Sequence, residues 1–245
     1  MAETLSPVRV ALITGANQGI GFEIARQLGK QGIVVLVSAR NKQKGLAATE
    51  TLLQEGIQAQ GLILDVTDQR TIEAAATEVE RKFGKLEILV NNAAIVAERT
   101  PPSECQVENV RKTFETNVFG LFAVTKAFLP LIRKSPAGRI VNMSSAVGSL
   151  TSISDPQQTR LDNGYLAYGA SKVAVNSITI SFARELRDTP IKVNAVAPGY
   201  TATVMNNFKG FQTVDQGAIA AVRMATLPAD GPTGGFFDKN GTVPW

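Results

Sequence analysis

The tightest constraint on the fold is a strand, a glycine-rich turn and a helix that follow one another without a break near the N-terminus. Val8-Arg9-Val10-Ala11-Leu12-Ile13-Thr14 is a short apolar run rich in β-branched residues and reads as a strand buried on both faces. It ends in Gly15-Ala16-Asn17-Gln18-Gly19-Ile20-Gly21, after which Phe22-Glu23-Ile24-Ala25-Arg26-Gln27-Leu28 takes helical period. Glycines let a backbone approach a ligand closely, and a helix N-terminus offers unpaired N–H groups and a partial positive charge. The layout is that of a phosphate cradle, spaced G-x-x-x-G-x-G rather than the G-x-G-x-x-G of the standard dinucleotide fold.

The same alternation runs to the end of the chain. Further buried strands are expected at Ile33–Ala39, Gln60–Asp65, Leu86–Val90, Arg139–Ser145 and Ile191–Ala197, with a short one near Gly235–Phe237. Helices are expected between them: Lys42–Glu55, Thr67–Phe83, a long segment Val107–Ile132, one carrying Tyr168 and ending near Arg187, and Val214–Thr226. Strands alternating with helices imply an α/β fold, one Rossmann-type domain over residues 1–245. Its sheet is doubly wound, mostly parallel and seven-stranded, with helices on both faces. Two stretches, Ser149–Gly164 and Tyr200–Gln212, read as loops on the substrate side. The first is polar and irregular; the second, with Met205, Phe208 and Phe211 among Thr and Asn, is a candidate flexible lid.

Composition removes whole classes of chemistry. The chain has no histidine and a single cysteine, Cys105. A His-based triad, a His or multi-Cys zinc site and an internal disulfide are therefore all excluded, and no metal site is expected. Proton chemistry falls to Tyr, Lys, Asp or Glu. The net charge of +4 comes without Lys/Arg runs, so a nucleic-acid partner is not expected, whereas a polyanionic small molecule fits. The longest purely aliphatic run, Ile33–Val37, is far short of a membrane span, and no secretory signal is visible; the expected location is the cytoplasm.

Four strand ends and two helices carry the candidate site. The second strand ends in Ser38-Ala39-Arg40, where an acidic residue would bind the ribose 2′-hydroxyl of NAD and a basic one the 2′-phosphate of NADP. The third closes on Asp65-Val66, the fourth on Asn91-Asn92-Ala93-Ala94 and the fifth on Ser144-Ser145. Asn117 stands inside the long helix, where its amide competes for backbone groups. Tyr168 and Lys172 are four residues apart in a helical segment, so they leave the same face one turn apart. A fixed positive charge there favours phenolate over phenol and suits the tyrosine to proton exchange near neutral pH.

On these pieces the chain resembles the short-chain dehydrogenase/reductase family over nearly its whole length. The matching residues, in order, are Thr14-Gly15-x-x-x-Gly19-x-Gly21, Asp65, Asn91-Asn92-Ala93, Asn117, Ser145, Tyr168-x-x-x-Lys172 and Pro198-Gly199. Within the family it is most similar to the carbonyl reductase branch, on Thr116-Asn117-Val118-Phe119-Gly120, the extended segment before Tyr168, and the tail Leu227-Pro228 to Trp245. The resemblance implies reduction of ketones or aldehydes with NADP(H), reversible as alcohol oxidation. It implies Tyr168 as general acid/base, Lys172 lowering its pKa, Ser145 polarising the carbonyl, and Asn117 holding a water in a proton relay from Lys172. It implies cofactor contacts at Gly15, Asn17, Gln18, Gly19, Ile20, Gly21, Arg40, Asp65, Val66, Asn91, Ala93, Tyr168, Lys172, Pro198, Gly199, Thr201 and Thr203. Tyr165 has Gly169 four residues on and lacks the ammonium partner.

Two departures stand out. Gln18 is neutral where many NADP-dependent members carry Lys or Arg, so the NADP preference rests on Arg40. The Ser145–Tyr168 interval is longer than in compact members, and its polar residues fall where relatives pair helices; a monomer or homodimer is expected over a tetramer. The alternatives are reduction of a carrier-bound 3-oxoacyl thioester and a non-catalytic dinucleotide sensor on the same fold.

Overall fold

Seven parallel strands lie in the order β3-β2-β1-β4-β5-β6-β7. They are β1 (Val10–Ile13), β2 (Val34–Ala39), β3 (Ala59–Ile63), β4 (Ile88–Asn91), β5 (Arg139–Met143), β6 (Lys192–Val196) and β7 (Phe236–Phe237). The computed structural model describes residues 8–157 and 166–245. From β1 the chain winds outward to β3, then returns to place β4 on the other side of β1. The carboxyl ends of β1 and β4 thus form the point at which strand order reverses, where such sheets bind ligands.

Alternation along each strand divides the core into two layers. Ala11, Ile13, Val35, Val37, Ile88, Val90, Val141 and Val196 pack against α1 (Gly19–Gly29), α2 (Lys42–Gln54) and α8 (Val214–Ala225). Val10, Leu12, Leu36, Leu89, Ile140 and Val193 face α3 (Gln69–Phe83), α5 (Leu121–Arg133) and α7 (Leu166–Glu185) on the other side. Burial on both faces is what the continuous aliphatic runs require.

Three local features differ from the sequence expectation. β3 stops at Ile63, so Asp65 lies in the turn leading to α3, where its Oδ1 accepts from the Thr67 N–H and hydroxyl. The expected long helix is three pieces: α4 (Val107–Phe114), a π-helical turn Glu115–Gly120, and α5. The run Val107–Arg133 is long and apolar enough to cross a membrane by length and composition, but half of its apolar window is buried in the fold. Third, the polar segment after Ser149 begins with a one-turn helix, α6 (Leu150–Ser154), capped by Ser149 Oγ accepting from the Ser152 N–H. The remainder, 158–165, with Tyr165, lies outside the described residues.

Candidate active site

The glycine turn is built so that side chains are excluded from it. Gly15 (φ 63°) and Gly19 (φ 60°) occupy the left-handed region, which any other residue enters at a cost. A Cβ on Gly15 would come within 3.2 Å of Ala93 Cα, and one on Gly21 would reach 2.8 Å from Gly15 O and collide with the Asn92 amide. Gln18 precedes α1 with extended backbone and makes no side-chain cap, so the first N–H groups of α1 face the turn without an intrachain side-chain acceptor. Such a cradle fits the diphosphate of a dinucleotide.

Thr14 and Asn92, to which the sequence alone assigned no role, lock the turn to β4. Thr14 Oγ1 accepts from the Asn92 and Ala93 N–H groups at 2.9 and 3.0 Å, and the Asn92 amide donates to Thr14 O at 2.8 Å and Gly15 O at 3.2 Å. Asn91 turns the other way: its Nδ2 donates to Thr125 Oγ1 and Asn142 Oδ1, both at 2.9 Å, leaving its main chain for any ligand. At the end of β2, Arg40 is exposed and carries no ion pair or hydrogen bond among the described residues. Val66 is buried beneath the π-turn: a Cβ on Gly120 would fall 2.8 Å from Val66 O.

Tyr168 and Lys172 sit on α7. Lys172 is 3% exposed, its Nζ donates to Met143 O at the end of β5 at 2.6 Å, and it lies 5.4 Å from the Tyr168 ring centroid. Burial pushes the Lys172 ammonium down to about 7, because the charged form loses its hydration. Ser145 follows β5, half-buried with extended backbone, and opens a short turn Ala146–Gly148 against α7. Its neighbour Ser144 is buried and donates to Lys172 O at 3.4 Å, a structural contact that leaves Ser145 as the hydroxyl on the open side.

Asn117 lies in the π-turn, 1% exposed. Its Oδ1 accepts from the Ile95 N–H at 2.8 Å and its Nδ2 donates to Ile95 O and Ser171 Oγ, both at 3.0 Å. Ser171 in turn donates to Tyr168 O at 2.7 Å. Ser171, which the sequence did not single out, therefore links the π-turn to the helix turn that bears Tyr168. The Asn117 side chain is engaged on both its oxygen and its nitrogen in this clamp.

The segment after β6 is tethered at several points. Gly199 (φ 78°) lies flush against the Gln212 amide, and Thr201 Oγ1 donates to Pro198 O at 3.2 Å, so this hydroxyl stabilises the turn. Thr203 approaches the glycine turn, with Cγ2 3.7 Å from the Cβ position of Gly19, and makes a capping box with Asn206 over the short turn Val204–Asn206. Arg99 Nη2 donates across the cleft to Met205 O at 2.6 Å. Asn207 (φ 51°) and Phe208 (φ 58°) are left-handed, uncommon for asparagine and costly for phenylalanine. Tyr200, Met205, Phe208 and Phe211 are exposed, giving the segment an apolar rim. A cavity of about 410 Å³ lies elsewhere, beside β3 between α2 and α3, and none of Asn117, Ser145, Tyr168 and Lys172 lines it.

Comparison with known proteins is consistent with this geometry. The short chain dehydrogenase family profile matches residues 9–212. A short-chain dehydrogenase/reductase 1 from Saponaria officinalis is 34% identical, the match covering 98% of this chain and 97% of that one. A carbonyl reductase (NADPH) 1 from Sus scrofa is 33% identical over 98% of this chain and 95% of its own. The structure of salutaridine reductase from Papaver somniferum superposes with a TM-score of 0.81 at 30% identity, covering 94% of this chain and 99% of that chain.

Proposed function

The chain belongs to the short-chain dehydrogenase/reductase family, and from that premise we propose that it reduces ketones or aldehydes to alcohols with NADPH, and runs the reverse oxidation. The observation that carries the reading is the buried Lys172 ammonium on Met143 O, one helical turn from Tyr168 and beside the Ser145 turn. The dinucleotide, when bound, supplies the hydride. The Tyr168 hydroxyl donates a proton to the oxygen that gains charge as the carbonyl is reduced, and Lys172 favours the phenolate that remains. The Ser145 hydroxyl donates to the same oxygen and stabilises charge as it develops. The π-turn at Asn117 leaves main-chain acceptors for a water that returns a proton to Lys172.

Cofactor choice rests on charge. Arg40 is a guanidinium with an open hydrogen-bonding face at the end of β2, and the 2′-phosphate of NADPH is its natural partner. That the related pig enzyme is named for NADPH supports this reading. The test is a panel of ketones and aldehydes assayed by NADPH consumption. Tyr168→Phe should lower turnover at least about a hundredfold, the loss typical of a missing general acid, while NADPH still quenches or shifts protein fluorescence on binding. A Tyr168→Phe protein as active as the parent defeats the assignment.

A further inference from the structure

The proposed chemistry needs the Ser145 hydroxyl and the Tyr168 phenol held at a fixed separation, yet they stand on different elements. The contact that ties those elements together involves a residue outside the reacting set. Asn176 lies one turn beyond Lys172 on the same face of α7 and is 4% exposed. Its Nδ2 donates to Gly148 O at 2.9 Å. Gly148 closes the Ser145 turn by donating its own N–H to Ser145 O at 2.8 Å. No side chain fits between turn and helix: a Cβ on Gly148 would sit 2.9 Å from Lys172 Cβ and from Ser144 Oγ. The Asn176 Oδ1 is buried without a partner among the described residues. An apolar side chain would remove that acceptor but leave Gly148 O without its donor, so what the amide supplies here is the tie between α7 and the turn.

We propose that Asn176 is a positioning residue, whose amide holds the Ser145–Gly148 turn against α7 and so sets the distance between the Ser145 and Tyr168 hydroxyls. It does not touch the reacting atoms; it acts through Gly148. The inference rests on the reductase reading for its catalytic consequence but not for its geometry, and the test separates the two.

Asn176→Leu removes the donor and keeps the branched shape and heavy-atom count of the side chain. Displacing a reacting group by a fraction of an ångström to an ångström costs up to about a hundredfold, so kcat should fall about 10- to 100-fold. NADPH affinity, read by fluorescence titration, should move less than about twofold because the glycine turn is remote from the change. Hydrogen–deuterium exchange gives the arm independent of activity. Amides in 145–149 should exchange up to about tenfold faster on loss of one hydrogen bond, with residues 15–21 unchanged. Gly148→Ala, which wedges the turn away from Lys172 with Asn176 in place, should likewise lower kcat and speed exchange at 145–149. It also carries the test should Asn176→Leu fail to fold. Unchanged exchange at 145–149 in Asn176→Leu overturns the proposal, as does a kcat within about twofold of the parent in either folded variant. A parent that reduces no carbonyl defeats the reductase reading instead, and the exchange arm still decides whether Asn176 holds the turn.

Discussion

Lys172 makes stability depend on pH in a way that a single substitution can isolate. Its ammonium is 3% exposed and burial moves its pKa from 10.5 to about 7. An unfolded chain holds that proton up to the ordinary lysine value, whereas the folded chain releases it above about 7. Between these values the unfolded state binds more protons, so the unfolding free energy rises with pH. The slope for one proton is about 1.4 kcal/mol per pH unit, and the whole interval corresponds to on the order of 5 kcal/mol. Lys172→Met removes the titrating group. The variant should therefore be favoured over the parent most strongly near pH 7 and below, and its advantage should shrink by on the order of 4 kcal/mol by pH 10. Both proteins should carry Tyr168→Phe, so that the neighbouring phenol does not titrate in the same window. Urea unfolding across that range gives the difference, and shared carboxylates, other lysines and Cys105 cancel. A difference that changes by less than about 1 kcal/mol would show that the lysine is solvated or paired, and that its burial does not set its charge.

Arg40→Asp should exchange a cofactor preference of roughly one to two decades for NADPH into a preference for NADH, since a charge-assisted contact contributes about 1.5–3 kcal/mol. Comparing Kd for the two nucleotides checks it, and NADH preferred by the parent refutes it. Gly120→Ala should lower stability by about 1–3 kcal/mol through overpacking against Val66, read as a fall in Tm; an unchanged Tm would mean the π-turn has slack. Sedimentation at micromolar concentration should show a monomer or dimer. Exposed Phe119, Phe122 and Leu166 on the π-turn, α5 and the start of α7 offer apolar area for one helix-face contact, and a stable tetramer would refute the expectation.

The fold was legible because β1, β2 and β4 are buried on two faces and so are written as short, mostly aliphatic runs, with helix-period segments between the strands. The proximity of Tyr168 and Lys172 was legible because their relation is local, four residues along one helix. What was not legible depends on distant partners. Asn92 meets Thr14 across 78 residues and Asn117 meets Ser171 across 54, and nothing in either neighbourhood marks the match. The poor helix propensity of Asn117 did signal a distortion, which the structure realises as the π-turn. Polar composition after Ser149 concealed a capped helical turn, because Ser and Thr serve caps and loops alike. The segment 200–212 reads as mobile from its mixed composition, yet Arg99, the capping box and the contact of Ala202 with Gln212 pin it at three places.

The strand order has a consequence for how the protein is made. β1 is an interior strand of the sheet, between β2 and β4, and Thr14 at its end hydrogen-bonds to Val90, 76 residues later in the chain. During synthesis at 5–20 residues per second, β1 therefore waits roughly 4–15 s with one edge unpaired and both faces apolar. All neighbours are parallel, so no local hairpin can cover that edge in the interval. Until β4 emerges that edge is open to mispairing, and a slow codon stretch before residue 88 would lengthen the exposure.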